Sequence, residues 1–195
     1  MKLILIRHPA LAENISGRCI GQSDYAAATV SKRSLNYLAT RVKSASNIYS
    51  SDLQRTHHLA VQLADLCHIN CSIDGRLREV FFGEWENRTW ADIQAKEEGS
   101  VKKWSDDFVH YPPPGGESLL QLSSRVSEWK NDMQLQHPDD TIAAVTHAGV
   151  IRALLCNALD MPLENAFRFC VDYLSCTIIN YFPMVPPSIQ MLNCL

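Results

Sequence analysis

Two apolar runs in this chain stop abruptly at a histidine. Lys2-Leu3-Ile4-Leu5-Ile6 leads into Arg7-His8, and Thr141-Ile142-Ala143-Ala144-Val145-Thr146 leads into His147-Ala148-Gly149. Such a run reads as a buried strand that delivers basic groups to its carboxyl end, where ligands of open α/β sheets collect. A lone histidine at a strand end is ordinarily a satisfied polar residue. Two in equivalent places, one of them beside an arginine, point to one shared site. An imidazole attacks phosphorus when it is neutral, with one ring nitrogen bare and the other N–H held by an acceptor that fixes the tautomer. Nearby guanidinium groups would grip the phosphoryl oxygens and offset the charge spread over them in the transition state.

Arg55 is the next candidate. In Ser51-Asp52-Leu53-Gln54-Arg55-Thr56 it falls in the first turn of a helix predicted to follow the short strand Asn47 to Ser50. A helix start with unpaired N–H groups and an inward arginine makes a phosphate cradle. Equally, Arg55 could form a surface ion pair with Asp52 at i,i+3 spacing, and both readings stand. His57 and His58 are neighbours on that helix and point different ways, which suits surface or packing roles better than a metal pair. Glu79 supplies a carboxyl. Phosphoester hydrolysis needs an acid for the leaving oxygen and then a base for water, and beside Val80-Phe81-Phe82 an apolar setting would favour the neutral acid. Glu84 and Glu86, flanking an exposed-looking Trp85, read as solvated surface.

These residues need a scaffold. Pro9 to Ala28 has no hydrophobic period and reads as a long loop over the strand ends. Helical spacing recurs from Thr29 to Lys43 and again after Ser51-Asp52, which supplies a capping residue; a short strand follows around Cys71 to Ile73. From Arg76 to Tyr111 the chain is rich in charge and tryptophan. Thr89 and Asp92 there have capping-box form, with Gly99 as the stop. After Pro112-Pro113-Pro114-Gly115-Gly116, Ser118 caps a longer helix that ends before Pro138. An apolar helix through Val150 to Leu155, a Pro162-led helix and two terminal strands complete the order. Alternating strands and helices imply a mainly parallel sheet with helices on both faces, carrying a helical insertion at about 76–137.

Bulk composition narrows the partners. With 195 residues, 46% of them hydrophobic, the chain has enough material for one domain with a full core. Its formal net charge of −3 offers no broad attraction for nucleic acid or anionic membranes, so an anionic substrate must be held by local arginines. No apolar run approaches a membrane span, and the N-terminal run is too short for a secretory signal. The seven cysteines are odd in number and scattered, without a Cys-x-x-Cys pair, which argues against a disulfide framework and a metal site. The expectation is a cytoplasmic protein acting on a small molecule, with its oligomeric state open. A Cys-x5-Arg nucleophile, an Asp-x-Asp pair and a Gly-x4-Gly-Lys phosphate loop are all missing.

Taken together, Arg7-His8, Ser51-Asp52-Leu53-x-Arg55-Thr56, Leu77-x-Glu79-x-x-Phe82-Gly83-x-Trp85-Glu86, Gly115-Gly116-Glu117-Ser118 and Thr146-His147-Ala148-Gly149-Val150-Ile151-Arg152 resemble the histidine phosphatase superfamily, that of cofactor-dependent phosphoglycerate mutase. The motifs keep the family's order and span nearly the whole chain. The resemblance implies a doubly wound α/β/α sandwich, no metal and no cofactor. It makes His8 the phosphorylated nucleophile, Glu79 the proton donor, and Arg7, Asn14, Arg55 and His147 the phosphate pocket. Two departures stand out. Pro9-Ala10 replaces a common Gly-Glu, removing one backbone N–H, and Ala28-Thr29-Val30-Ser31-Lys32 replaces the usual helix-entry turn. The Glu79 to Glu86 stretch and Phe169-Cys170-Val171-Asp172 are most similar to the α-ribazole-5′-phosphate phosphatases of that superfamily, which serve cobalamin nucleotide-loop assembly. An aromatic-lined mouth would suit their benzimidazole nucleoside. Mutases, broad sugar phosphatases and a non-catalytic phospho-ligand binder are the alternatives.

Overall fold

The computed structural model describes residues 1–195 apart from Asn14 and Ser16. Its elements follow the order β1 (Lys2–Arg7), α1 (Lys32–Val42), β2 (Asn47–Ser50), α2 (Gln54–Cys67), β3 (Asn70–Ile73), α3 (Trp90–Lys96), α4 (Glu98–Asp106), α5 (Leu119–Gln136), β4 (Thr141–Thr146), α6 (Ala148–Ala158), β5 (Cys176–Phe182) and β6 (Val185–Cys194). The six strands form one sheet in the order β3-β2-β4-β1-β5-β6. The first four of these run parallel, while β5 and β6 are antiparallel additions at one side.

Strand side chains alternate between faces, and the sequence fills both faces with apolar groups. Leu3 and Leu5 of β1 join Ile142 and Ala144 of β4 beneath α5 and α6, where Trp129 and Leu154 pack. Ile4, Ile6, Ala143 and Val145 face the other way, onto Leu38 of α1 and Leu59 and Leu63 of α2. Both central strands are thus buried on two sides, as a parallel sheet requires. The helix α5 belongs to this sandwich. The stretch before it builds a separate small cluster in which Trp85 and Ile93 are fully buried, with Trp104 packed against them.

Helix entrances explain several local choices. Ser31 caps α1 by accepting from the Ser34 amide, so that entrance survives loss of the usual turn. Thr89 caps α3 on Asp92, and Ser118 forms a reciprocal capping box with Gln121 at the start of α5. Gly99, expected to stop a helix, lies inside α4. The expected cap at Ser51-Asp52 is also absent: the residue before α2 is Leu53, with no side-chain cap. Asp24 serves instead from the long loop, accepting from the Gln54 amide at 2.8 Å. No helix among the described residues is long and apolar enough to cross a membrane.

Candidate active site

The register of two adjacent strands sets the site. β1 and β4 run parallel with Arg7 opposite Thr146, and the His8 amide continues the ladder by donating to the Thr146 carbonyl at 3.0 Å. His8 and His147 therefore leave the sheet side by side, with ring centroids 5.1 Å apart and planes tilted by 59°. Arg55 arrives from α2, which follows β2 on the other flank of β4. Glu79 arrives from the segment after β3. Arg7, His8, Arg55 and Glu79 wall one small cavity of about 70 Å³, together with Leu11, Ile20 and Tyr173. His147 is fully buried next to His8. Asn14 lies outside the described residues.

His8 carries the arrangement's main asymmetry. Its Nδ1 lies 2.6 Å from the carbonyl oxygen of Pro9, which can only accept, so the ring proton is assigned to Nδ1. Nε2 has no hydrogen-bond partner among the described residues and keeps its lone pair. Burial, then Arg55 and to a lesser degree Arg7, push the His8 pKa from 6.5 down to about 3, against the Pro9 carbonyl, which raises it. The ring is neutral at physiological pH. Proline thus withholds an N–H here while its carbonyl fixes the tautomer.

His147 is neutral for the same reasons, its pKa held well below 6.5 by burial, His8 and Arg55. Its Nδ1 accepts from Arg55 Nε at 3.3 Å, which puts the proton on Nε2, 3.0 Å from Ser51 Oγ. The Ser51 hydroxyl continues to Thr56 Oγ1 at 2.6 Å, and Thr56 donates to the Leu53 carbonyl. Ser51, expected to act as a helix cap, orients a site histidine instead.

The two arginines are anchored without being exhausted. Arg55 does not pair with Asp52, which binds Arg78 instead. Its Nη1 and Nη2 hold the carbonyls of Ser23 and Gly21. Three of the five N–H donors of a guanidinium are so engaged. Burial lowers its pKa, opposed by the charges of Glu79 and Asp24. Arg7 donates to the Val171 carbonyl, while its Nε is buried without a partner among the described residues. The ring of Tyr173 caps the Arg7 guanidinium at 3.8 Å and lies 5.5 Å from the His8 ring.

Glu79 sits in a polar setting, unlike the one its apolar sequence neighbours suggest. One oxygen accepts from the Val80 amide at 3.0 Å, the other from the Gly149 amide at 3.1 Å in the first turn of α6. Phe81 is exposed and Phe82 packs edge-on against Trp90, so the aromatic group at the cavity is Tyr173. Glu86, read as solvated, accepts from the amides of Gly21, Gln22, Ser23 and Phe82. Arg55 takes the carbonyls of the Gly21 to Ser23 turn and Glu86 takes its amides. A Cβ on Gly21 would come within 2.1 Å of the Val80 carbonyl, so only glycine permits this approach. Among the described residues no three His, Cys, Asp or Glu side chains gather as a metal-ligand group.

The sequence pattern of the histidine phosphatase superfamily (branch 1) matches residues 3–194. The chain belongs to that superfamily. Glucosyl-3-phosphoglycerate phosphatase of Mycobacterium tuberculosis is 30% identical, across 84% of this chain and 78% of its own. Adenosylcobalamin/alpha-ribazole phosphatase of Escherichia coli is 29% identical across 88% and 86%. The crystal structure of alpha-ribazole phosphatase from Shigella flexneri superposes with a TM-score of 0.86 at 26% identity, covering 99% of this chain and 96% of that one. The α/β sandwich with its six-stranded sheet is thus the fold of this superfamily. These relatives are phosphatases by name with different substrates, so membership fixes the family and leaves the substrate open.

Proposed function

We propose that the chain hydrolyses phosphomonoesters through a phosphohistidine at His8. The observation that carries this reading is a neutral His8, its tautomer set by Pro9 and its Nε2 without a partner among the described residues, in a cavity shared with two arginines and a carboxyl. In the first step the Nε2 lone pair forms a bond to phosphorus as the bond to the leaving oxygen breaks, and Glu79 in its acid form gives that oxygen a proton. In the second, the Glu79 carboxylate takes a proton from water as the water oxygen attacks phosphorus, the P–N bond breaks, and neutral His8 returns. Arg7 and Arg55 carry the equatorial oxygens' charge throughout. His147, held by Ser51 and Arg55, lies beside the His8 ring.

The leaving group we assign is that of α-ribazole 5′-phosphate. Leu11, Ile20 and Tyr173 wall both the phosphate cavity and an adjoining chamber of about 430 Å³. That volume lies in the range that encloses ligands of nucleoside size, and a three-carbon acid would leave most of it empty. Tyr173 offers a ring face for stacking. A second reading comes from Arg18 and Glu13, which also line the chamber: Arg18 would suit a carboxylate and Glu13 the hydroxyls of a leaving group such as that of glucosyl-3-phosphoglycerate.

Two measurements test the proposal. Rapid acid-free quenching with a radiolabelled ester should trap an acid-labile phosphoprotein, and His8→Ala should abolish both label and turnover; a variant that still turns over substantially removes His8 from the mechanism. Ranking phosphomonoesters by kcat/KM with EDTA present should place α-ribazole 5′-phosphate about tenfold or more above 3-phosphoglycerate and glucosyl-3-phosphoglycerate, a difference of about 1.4 kcal/mol in transition-state binding. A flat ranking, or one led by the glucosyl ester, overturns the substrate assignment.

A further inference from the structure

The Gly115-Gly116-Glu117-Ser118 motif takes no part in the chemistry described so far, yet it meets the acid's own segment. Glu117 precedes α5, and Arg125 lies two turns into it. The pair is bidentate: Arg125 Nε reaches one Glu117 oxygen at 2.7 Å and Nη2 the other at 2.8 Å. The remaining N–H groups of Arg125 all go to the backbone around Glu79. Nη1 donates to the carbonyls of Arg76 at 2.6 Å and Arg78 at 2.8 Å, and Nη2 to the carbonyl of Glu79 itself at 3.0 Å. Every donor of the guanidinium is used. Glu117 closes the other side, its amide donating to the Phe81 carbonyl at 2.7 Å and its carboxylate accepting from the Phe81 amide at 3.3 Å.

We infer that Arg125 and Glu117 are positioning residues for Glu79, clamping the backbone of residues 76–81 to α5 so that its carboxyl reaches the cavity. The inference rests on the acid–base role proposed for Glu79. The segment needs such a clamp because it has little regular structure of its own: one short 3₁₀ turn over Gly75–Leu77, then extended chain. Its carboxyl must bridge to the Gly149 amide of α6, an element from the other end of the chain. A planar fork with five donors at fixed angles meets three carbonyls and a carboxylate at once, which an ammonium group cannot do. Arg125 also helps hold the His147 pKa down. Lysine preserves that charge while losing the fork, so Arg125→Lys separates geometry from electrostatics.

The test has an activity arm and an arm that does not need turnover. Arg125→Lys should lower kcat/KM for an alkyl phosphate by about 10- to 100-fold and for p-nitrophenyl phosphate by about 3-fold or less, since a good leaving group needs little protonation. In a Glu79→Gln background the same change should add about 2-fold or less, the non-additivity expected if Arg125 acts through Glu79. Equal losses on both esters, or the full loss repeated in the Glu79→Gln background, overturn the inference. The Gly149 amide, which donates to Glu79, reports the clamp independently by hydrogen exchange. It should exchange faster in Arg125→Lys, with the later amides of α6 unchanged; unaltered Gly149 exchange also overturns it. If the wild-type protein hydrolyses no ester, the phosphatase reading fails alone, and Gly149 exchange still decides whether the clamp exists.

Discussion

At the scale of single residues, the site works by committing every polar atom except the ones a phosphoryl group needs. His8 spends Nδ1 on the Pro9 carbonyl and leaves Nε2 without a partner among the described residues. His147 spends both nitrogens, on Arg55 and Ser51. Arg7 donates to the Val171 carbonyl and stacks under the Tyr173 ring, which fixes its guanidinium at the cavity wall. Pro9 lacks an N–H, and the atom by which it serves the site is its carbonyl, which every residue has.

At the scale of elements, α6 brings its first turn so close to Glu79 that side-chain volume decides the geometry. A Cβ on Gly149 would lie 2.2 Å from a Glu79 oxygen. Gly149→Ala should therefore displace the carboxyl and slow hydrolysis of esters with poor leaving groups by about 10- to 100-fold. The same change replaces a helical glycine by a better helix former, worth roughly 1 kcal/mol, so the thermal midpoint should hold or rise while activity falls. Parallel kinetics and melting curves check this; a variant as active as wild type would show that Glu79 has slack against α6. The elements that carry His8 and His147 were legible in the sequence because strands β1 and β4 are apolar on both faces and end sharply in polar residues. Arg55 was half legible: its place at a helix start could be read, but its choice between a surface ion pair and the pocket depended on Arg78 claiming Asp52. Glu86 and Trp85 were misread. A glutamate beside a tryptophan looks solvated until the distant Gly21 to Ser23 turn and the α3–α4 cluster close over them, and no local period announces either contact.

At the scale of the whole molecule, folding carries two imidazoles out of water and keeps them neutral, which ties stability to pH. His8 has a folded pKa of about 3 against an ordinary 6.5, and His147 also lies well below 6.5. Above pH 6.5 both rings are neutral whether the chain is folded or not, and they add no pH dependence. As pH falls below 6.5, the unfolded chain takes up protons that the folded one refuses, so stability is lost progressively down to about pH 3. His8 contributes a slope of up to roughly 1.4 kcal/mol per pH unit in that window, and His147 adds to it in the same direction. Asp52 and Asp74 start from 3.8 and Glu97 from 4.5, all with folded pKa values lowered by arginine partners, so their loss begins only below about pH 5.5. The interval between about pH 6.5 and pH 5.5 thus isolates the histidines from these carboxylates. Urea unfolding across that interval should show stability falling as pH drops in the wild type. His8→Asn, which keeps a donor for the Pro9 carbonyl without a titrating ring, should reduce the slope measurably. An unchanged slope in that variant would mean that His8 takes up its proton in the folded state near the ordinary value, and the neutral nucleophile on which the proposed chemistry depends would be lost with it.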